Sequence, residues 1–246
     1  MALTRLFVRS ALRPGQDLTL NGEQALYLGR ALRLRVGDAL SVFSAESGEF
    51  AAMINSIGKS SADITIGEAV PTATESPLKV HLVQGVSRGE RMDLVVQKAT
   101  ELGVKRISPV LTEYGVVKLQ GARAEKRRDH WQKIAESACE QSGRTRPPLI
   151  DGVLPLKSWF GAKAQEADVD LILRPGATTP MASLKAPTTK VCLLIGPEGG
   201  FSASEYDDAE VSGFQAVSLG PRVLRTETAA IAAVTVAESL WGDLGQ

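Results

Sequence analysis

The sequence holds two cysteines in 246 residues, Cys139 and Cys192, far apart and each set in an apolar pattern. That scarcity excludes a disulfide framework and fits a reducing, cytoplasmic compartment. Histidine is equally scarce, with His81 and His130 alone, and none of these four residues has the spacing of a ligand set, so no metal is expected. Long apolar runs are missing too. The most apolar stretches, 191–195 and 229–237, are short or interrupted by Thr and fall below the roughly 18 residues of a membrane span, so a soluble chain with no membrane partner is expected. The opening Met-Ala-Leu-Thr-Arg-Leu-Phe-Val-Arg lacks the apolar centre of a signal peptide, and secretion is not expected.

An excess of one charge is absent as well: 28 Lys and Arg stand against 28 Asp and Glu. A balanced sum argues against a nucleic-acid partner, but the distribution argues for one. Residues 1–36 carry Arg5, Arg9, Arg13, Arg30, Arg33 and Arg35 against Asp17 and Glu23. A second basic stretch runs through Lys118, Arg123, Lys126, Arg127 and Arg128 and resumes at Arg144 and Arg146, which a solvated helix face explains as well as a partner does. Glu205, Asp207, Asp208 and Glu210 offset it later.

What is present is an ordinary globular composition, 43% apolar and 23% charged, enough for a sizeable core and without internal repeats. Length favours two domains only weakly, so the boundary rests on pattern. Over 5–8, 39–43, 50–57 and 62–69 the sequence reads as short strands divided by glycine-containing turns, a small β-barrel interrupted by one helix over 22–34. Pro71-Thr-Ala-Thr-Glu-Ser-Pro77 is the composition of a linker, which sets domains at 1–70 and 79–246 with a linker over 71–78. Beyond it, strands over 80–83, 106–110, 170–173, 191–195 and 216–219 alternate with helices over 88–102 and 122–141 and from about Ser202 and Thr226. That alternation predicts an α/β domain with a parallel sheet covered on both faces.

Two segments carry chemistry. Leu193-Leu-Ile-Gly-Pro-Glu-Gly-Gly-Phe-Ser-Ala-Ser-Glu205 runs from a buried strand through a glycine-rich turn into a helix, where α/β proteins bind ligands. Gly196, Gly199 and Gly200 permit close backbone approach, and Pro197 stiffens the turn. Ser202 and Glu205 form a capping-box pattern, so the helix start is satisfied by its own side chains rather than by a phosphate. The segment lacks the Lys-Ser/Thr ending of a phosphate-binding loop, which weighs against nucleotide hydrolysis. Leu219-Gly-Pro-Arg-Val-Leu-Arg-Thr-Glu-Thr-Ala229 repeats the arrangement: Val223 and Leu224 suit a flat ring, and Arg222 and Arg225 an anionic partner. Each segment also reads as a structural turn, and each arginine as a solvated charge.

The pairing of Leu-Ile-Gly-Pro-Glu-Gly-Gly-Phe with Leu-Gly-Pro-Arg-Val-Leu-Arg-Thr-Glu-Thr-Ala resembles the ribosomal RNA small subunit methyltransferase E family of the SPOUT superfamily. The resemblance extends through Gln-Lys-Ala-Thr-Glu-Leu-Gly-Val (97–104), Glu-Gln-Ser-Gly-Arg (140–144), Arg-Leu-Phe-Val (5–8) and Leu-Arg-Leu-Arg-Val-Gly-Asp (32–38), nearly the whole chain. The family usually has histidines near Tyr27 and where this chain has Arg174, so no His-based role is assigned at either position.

This resemblance implies a cytoplasmic homodimer that methylates N3 of one uridine in 16S ribosomal RNA, within the small subunit, using S-adenosyl-L-methionine. It implies a SPOUT-type C-terminal α/β domain with a trefoil knot and a PUA-like N-terminal barrel; pattern reading alone would exclude a knot. The cofactor would be held by Leu173, Ile195, Gly196, Pro197, Glu198, Gly199 and Gly200, and by Leu219, Gly220, Leu224, Arg225, Thr226, Glu227, Thr228 and Ala229. Uridine N3 is protonated and weakly nucleophilic, so proton loss and charge stabilisation are required; Arg225 is the candidate for steering or charge stabilisation and Glu227 for orienting the cofactor or accepting the proton, and a pairing that only fixes the loop is the alternative for both. Arg5, Arg30 and Arg33 are candidates for phosphate contact, with a solvated helix face the alternative for the Arg30 to Arg35 cluster, and Gln141 and Arg144 are candidates for reaching RNA or the active-site mouth. The rival from another class is a non-catalytic RNA-binding or ribosome-assembly protein that keeps both glycine segments as turns.

Overall fold

The structure is a computed structural model that describes residues 3–162, 167–184 and 189–245. The chain forms two compact units, and the division is not contiguous: Met1–Glu75 group with Cys139–Arg146, and Ser76–Ala138 with Pro147–Gln246.

In the first unit, β1 (Arg5–Phe7), β2 (Asp17–Asn21), β3 (Ala39–Ser44), β4 (Gly48–Ile57) and β5 (Ser61–Val70) form one sheet in the order β1-β3-β4-β5-β2. All pairings are antiparallel except β1 with β3. Alternation drives the burial: in β5, Ala62, Ile64 and Ile66 are buried while Asp63 and Thr65 between them are half-exposed. Register shifts between Phe50 and Ala52 and between Ile54 and Ser56 curl the sheet around Leu6, Leu20, Leu28, Leu40, Val42 and Ile54. Sequence pattern missed β2, because Asp-Leu-Thr-Leu-Asn fully buries only Leu20.

The helix expected over 22–34 is shorter than that. It starts as α1 (Glu23–Leu26), widens into a π-helical turn (Tyr27–Ala31) and closes through amide bonds from Leu32 to the Tyr27 carbonyl and from Leu34 to the Leu28 carbonyl, both 3.0 Å. Arg33 lies in the left-handed region at φ 55°, a position usually given to glycine, and this ends the helix.

The second unit is built on a parallel sheet in the order β12-β10-β11-β6-β7-β8, with β9 also paired to β7. Its strands are β6 (Lys79–Gly85), β7 (Arg106–Leu111), β8 (Leu149–Ile150), β9 (Leu154–Pro155), β10 (Val169–Leu173), β11 (Lys190–Ile195) and β12 (Gln215–Val217). The helices are α2 (Arg91–Glu101), α3 (Ala122–Ser142), whose last turn belongs to the first unit, α4 (Leu156–Ala162), α5 (Ala203–Val211) and α6 (Thr226–Trp241). The strand expected over 216–219 stops at Val217, and Ser218 makes only an isolated bridge to Pro180.

Both faces of this sheet are buried, which is why β11 reads as an unbroken apolar run. Val191, Leu193 and Ile195 join one core with Val95, Val96, Ala230, Ala233 and Ala237; Cys192 and Leu194 join the other with Trp159, Phe201, Ala209 and Phe214. Thus α2 and α6 cover one face and α4 and α5 the other. The segment between the prolines of 71–78 is tied at both ends. Thr74 donates to the Gly143 carbonyl (2.8 Å) and Glu75 accepts from Arg144 within the first unit, whereas Ser76 donates to Glu238 Oε2 (2.6 Å) within the second.

Candidate active site

The carboxyl ends of β10, β11 and β12 open into one cavity of about 480 Å³ in the second unit. That volume lies in the range of small-molecule sites. Three strand-to-helix connections supply its walls: Arg174 and Pro175 after β10, 196–201 after β11, and 218–225 after β12. In the second connection, the Gly200 amide donates to the Pro197 carbonyl (2.9 Å) to close a tight turn, and Gly200 sits at φ +70°, where a side chain would strain the backbone. Gly85, at the end of β6, lies directly under this turn, and a Cβ there would stand 2.3 Å from Pro197 Cδ.

Buried polar groups join the two glycine loops. Gln84 Nε2 donates to Thr226 Oγ1 (2.9 Å), and Thr226 Oγ1 donates to the Gly196 carbonyl (2.6 Å), which ties the start of α6 to the β11 loop. Glu227, in the first turn of α6, lines the cavity, and its Oε2 is buried with no hydrogen-bond partner among the described residues. Gln84 Oε1 is buried and unpartnered in the same way.

Charge is fixed on the rim. Glu198 accepts from Arg91 Nη1 (2.6 Å) and from the Arg88 amide (3.1 Å). Burial works to raise the Glu198 pKa, but its own backbone amide, Arg91 and the Arg88 amide outweigh that and hold it below the usual carboxylate range. Arg174 stacks over Tyr206, 4.6 Å from the ring centroid. Burial pushes the Tyr206 phenol up, Arg174 opposes this, and Glu205 adds to it. The capping box expected at α5 is present: Ser202 Oγ accepts from the Glu205 amide and Glu205 from the Ser202 amide, so that helix start does not wait for a phosphate.

Among the residues expected to hold a cofactor, Leu173, Ile195, Gly196, Pro197, Glu198, Gly200, Leu219, Gly220, Leu224, Arg225, Thr226, Glu227 and Ala229 line this cavity. Gly199 and Thr228 do not. Gly199 packs on another chain segment, where a Cβ would stand 2.5 Å from the Tyr114 carbonyl oxygen, and Thr228 faces solvent. Arg222 and Val223 also line the cavity, Val223 at 82% exposure. Sequence reasoning missed Pro175, Phe201, Tyr206, Val217 and Ser218 as wall residues. Position after a strand end would have found Pro175 and Ser218, but nothing in the sequence marks Tyr206, which reaches the wall from α5.

Two of the expected RNA contacts have their side chains engaged inside the first unit. Arg5 spends all five N–H donors inside the first unit: Nε and Nη2 on Glu49 (2.9 and 2.7 Å), Nη1 on the carbonyls of Cys139 and Glu140, and Nη2 also on those of Gly143 and Arg144. Its guanidinium also lies 4.4 Å from the Phe43 centroid. Arg144 is 2% exposed and paired with Glu75. Both arginines build the fold. Arg30, Arg33 and Gln141 are exposed, as is Arg35. Among the described residues no group of His, Cys, Asp and Glu has the makings of a metal site, and no helix is long and apolar enough to cross a membrane.

Residues 74–238 match the family described as RNA methyltransferase domain, and residues 20–67 the family described as RNA methyltransferase PUA domain. The ribosomal RNA small subunit methyltransferase E of Buchnera aphidicola subsp. Schizaphis graminum is 34% identical over 98% of this chain and 98% of its own length. Among solved structures, that of a ribosomal RNA small subunit methyltransferase E from Neisseria gonorrhoeae bound to S-adenosyl methionine is similar at TM-score 0.91 and 34% identity, covering 99% of this chain and 100% of the other. A Legionella pneumophila structure in complex with the bound cofactor SAM is similar at TM-score 0.93 and 38% identity, again covering 99% and 100%.

Proposed function

This chain belongs to the ribosomal RNA small subunit methyltransferase E family, and we propose that it methylates N3 of one uridine in the 16S RNA of the small ribosomal subunit. The observation that carries the reading is the convergence of two Gly-Pro loops on one cavity that holds a buried, unpartnered carboxylate oxygen, Glu227 Oε2.

The cavity fits S-adenosyl-L-methionine. Leu173, Ile195, Leu219 and Leu224 offer apolar walls to a flat ring, the glycines leave backbone amides and carbonyls open to its polar edge, and Glu227 Oε2 lacks the donor that a buried acceptor requires. When bound, that cofactor supplies an electrophilic methyl group. The protein's own part is to prepare the nucleophile. Glu227 takes the proton from uridine N3, and Arg225, exposed at the N-cap of α6, faces the negative charge that develops on the base. The Thr226–Gly196 bond holds the loops bearing these groups at fixed separation, so that N3 is presented in one orientation.

Two further features belong to this reading. A trefoil knot is carried over from the family; in this chain α6 follows the edge strand β12, returns over β6 and β11, and is tied at Thr226 to the β11 loop. A cytoplasmic homodimer is carried over from the family, with exposed Val223 at the cavity lip a place for the second copy to cover; light scattering that gives a monomer would remove the dimer.

The test is transfer of a labelled methyl group from S-adenosylmethionine to 16S RNA, offered bare and as assembled small subunits, with mass spectrometry locating the product. Label on N3 of a single uridine is the expected result. RNA binding without label and without a calorimetric signal for the cofactor would mean a non-catalytic assembly protein.

A further inference from the structure

One row of in-register side chains breaks the apolar pattern of the parallel sheet. Asp170 lies beside Cys192, Cys192 beside His81, and His81 beside Arg106, so four neighbouring strands present chemically active groups at one level of one face. The next row on that face is Ile172, Leu194, Val83 and Ser108, apolar and packed in its first three strands. His81, Arg106 and Asp170 are half-buried and only Cys192 is fully buried, so the row borders open space rather than packed core. All four residues line a second cavity of about 570 Å³, at the amino-terminal end of the strands and away from the cavity of the two glycine loops.

The floor of this cavity is held rigid by a chain of hydrogen bonds. Arg106 Nε donates to Asp151 Oδ2 (2.7 Å), Ser108 Oγ donates to the same oxygen, and His81 Nε2 lies 2.7 Å from Ser108 Oγ. Ser108 has one hydroxyl proton, and the acceptor-only carboxylate of Asp151 takes it. His81 Nε2 is therefore the donor to Ser108, which orients the ring. Ser108 is 1% exposed and its proton is committed, so this chain is a brace and not a hydrolytic relay.

The lining has a sign and a shape. Lys79, Lys105, Lys190 and Arg106 stand against Asp151 and Asp170, four positive charges to two negative. One wall is aromatic, with Trp159 edge-on to His81 at 5.9 Å. We propose that this cavity is a second small-molecule site, for a ring-bearing phosphate monoester of mononucleotide size. The lysines at the strand starts hold the phosphate, His81 and Trp159 flank the ring, and the braced floor lowers the ordering cost of binding.

Calorimetry with the full-length protein tests this. Uridine monophosphate, adenosine monophosphate and inorganic phosphate are titrated into protein saturated with S-adenosylmethionine, so that the first cavity cannot bind them. The same titrations without cofactor separate a failure here from a failure of the methyltransferase reading. The expected result is one-to-one nucleotide binding, tighter than that of phosphate, weakened about tenfold or more by Lys190→Glu and less by Lys190→Gln. Should Lys190→Glu not fold, Lys79→Glu tests the same rim. No binding at millimolar nucleotide overturns the proposal, as does equal affinity for phosphate alone or indifference to both charge reversals. Tighter binding of an oligouridylate, lost in the same variants, would also overturn it and assign the site to an RNA strand.

Discussion

Arg5 and Glu227 show how far a side chain's surroundings decide its use. Arg5 carries a full set of internal acceptors and neutralises Glu49, which is 7% exposed; removing it strands a buried carboxylate. Arg5→Met should lower stability by about 3 kcal/mol, read from urea unfolding. For Glu49, burial works to raise the pKa, but hydrogen bonds from Arg5 and Ser41 and the Arg5 charge outweigh it, so the folded value lies below the unfolded one. Its contribution is therefore complete above the unfolded carboxylate range and fades as pH falls through the folded value, and the gap between wild type and Arg5→Met should narrow in acid. Sequence shows the charge of Arg5 and Arg144 but not their partners, Glu49 and Glu75, which lie dozens of residues away. Glu227 was legible because it follows a recognisable loop, and its buried Oε2 adds a reason. Glu227→Gln, which keeps an acceptor oxygen for the cofactor but no proton acceptor, should reduce kcat by about a hundredfold or more while leaving cofactor affinity within a few-fold, measured by single-turnover transfer and calorimetry. Weaker cofactor binding at unchanged kcat would make it an orienting group instead.

Among elements, the informative contact is the crossing of the β6 end under the β11 loop. The two glycine-proline loops could be found from the sequence because each is a local strand-turn-helix pattern. The glycine that lets one of them sit down could not, because Gly85 precedes Pro197 by more than a hundred residues and has an ordinary strand sequence around it. A methyl group at Gly85 would lie 2.3 Å from Pro197 Cδ and 2.5 Å from Pro197 N, and both are rigid atoms. Gly85→Ala should therefore shift the loop, at about 2 kcal/mol of stability by thermal or denaturant unfolding, and weaken S-adenosylmethionine binding about tenfold or more by calorimetry. Wild-type cofactor affinity in this variant would mean that the loop does not hold the cofactor. The same locality explains the helix expected over 22–34: apolar spacing continues to Leu34, but the turn that ends the helix depends on Arg33 at positive φ, which spacing does not encode.

For the molecule as a whole, a formal charge of zero conceals an uneven distribution of charge along the chain. Alternating strands and helices made the α/β class and the parallel sheet readable, since their periodicities are local. The grouping of Cys139–Arg146 with the first unit was not, because it is made by long-range bonds such as those from Arg5 to the carbonyls at the end of α3. Arg5 and Arg144 are engaged internally, and exposed Arg30, Arg33 and Arg35 are the remaining candidates for an RNA footprint in the first unit. Each phosphate contact on a single strand contributes about 0.7 to the slope of log affinity against log salt, so replacing all three by Gln should flatten that slope by about 2. Affinity for RNA should fall at low salt, and cofactor affinity should not change, because the glycine-loop cavity is lined wholly by the second unit. Filter binding over a salt series reads the slope. An unchanged slope in the triple variant would place the phosphate contacts elsewhere, with the exposed basic residues of α3, Arg123 among them, next in line.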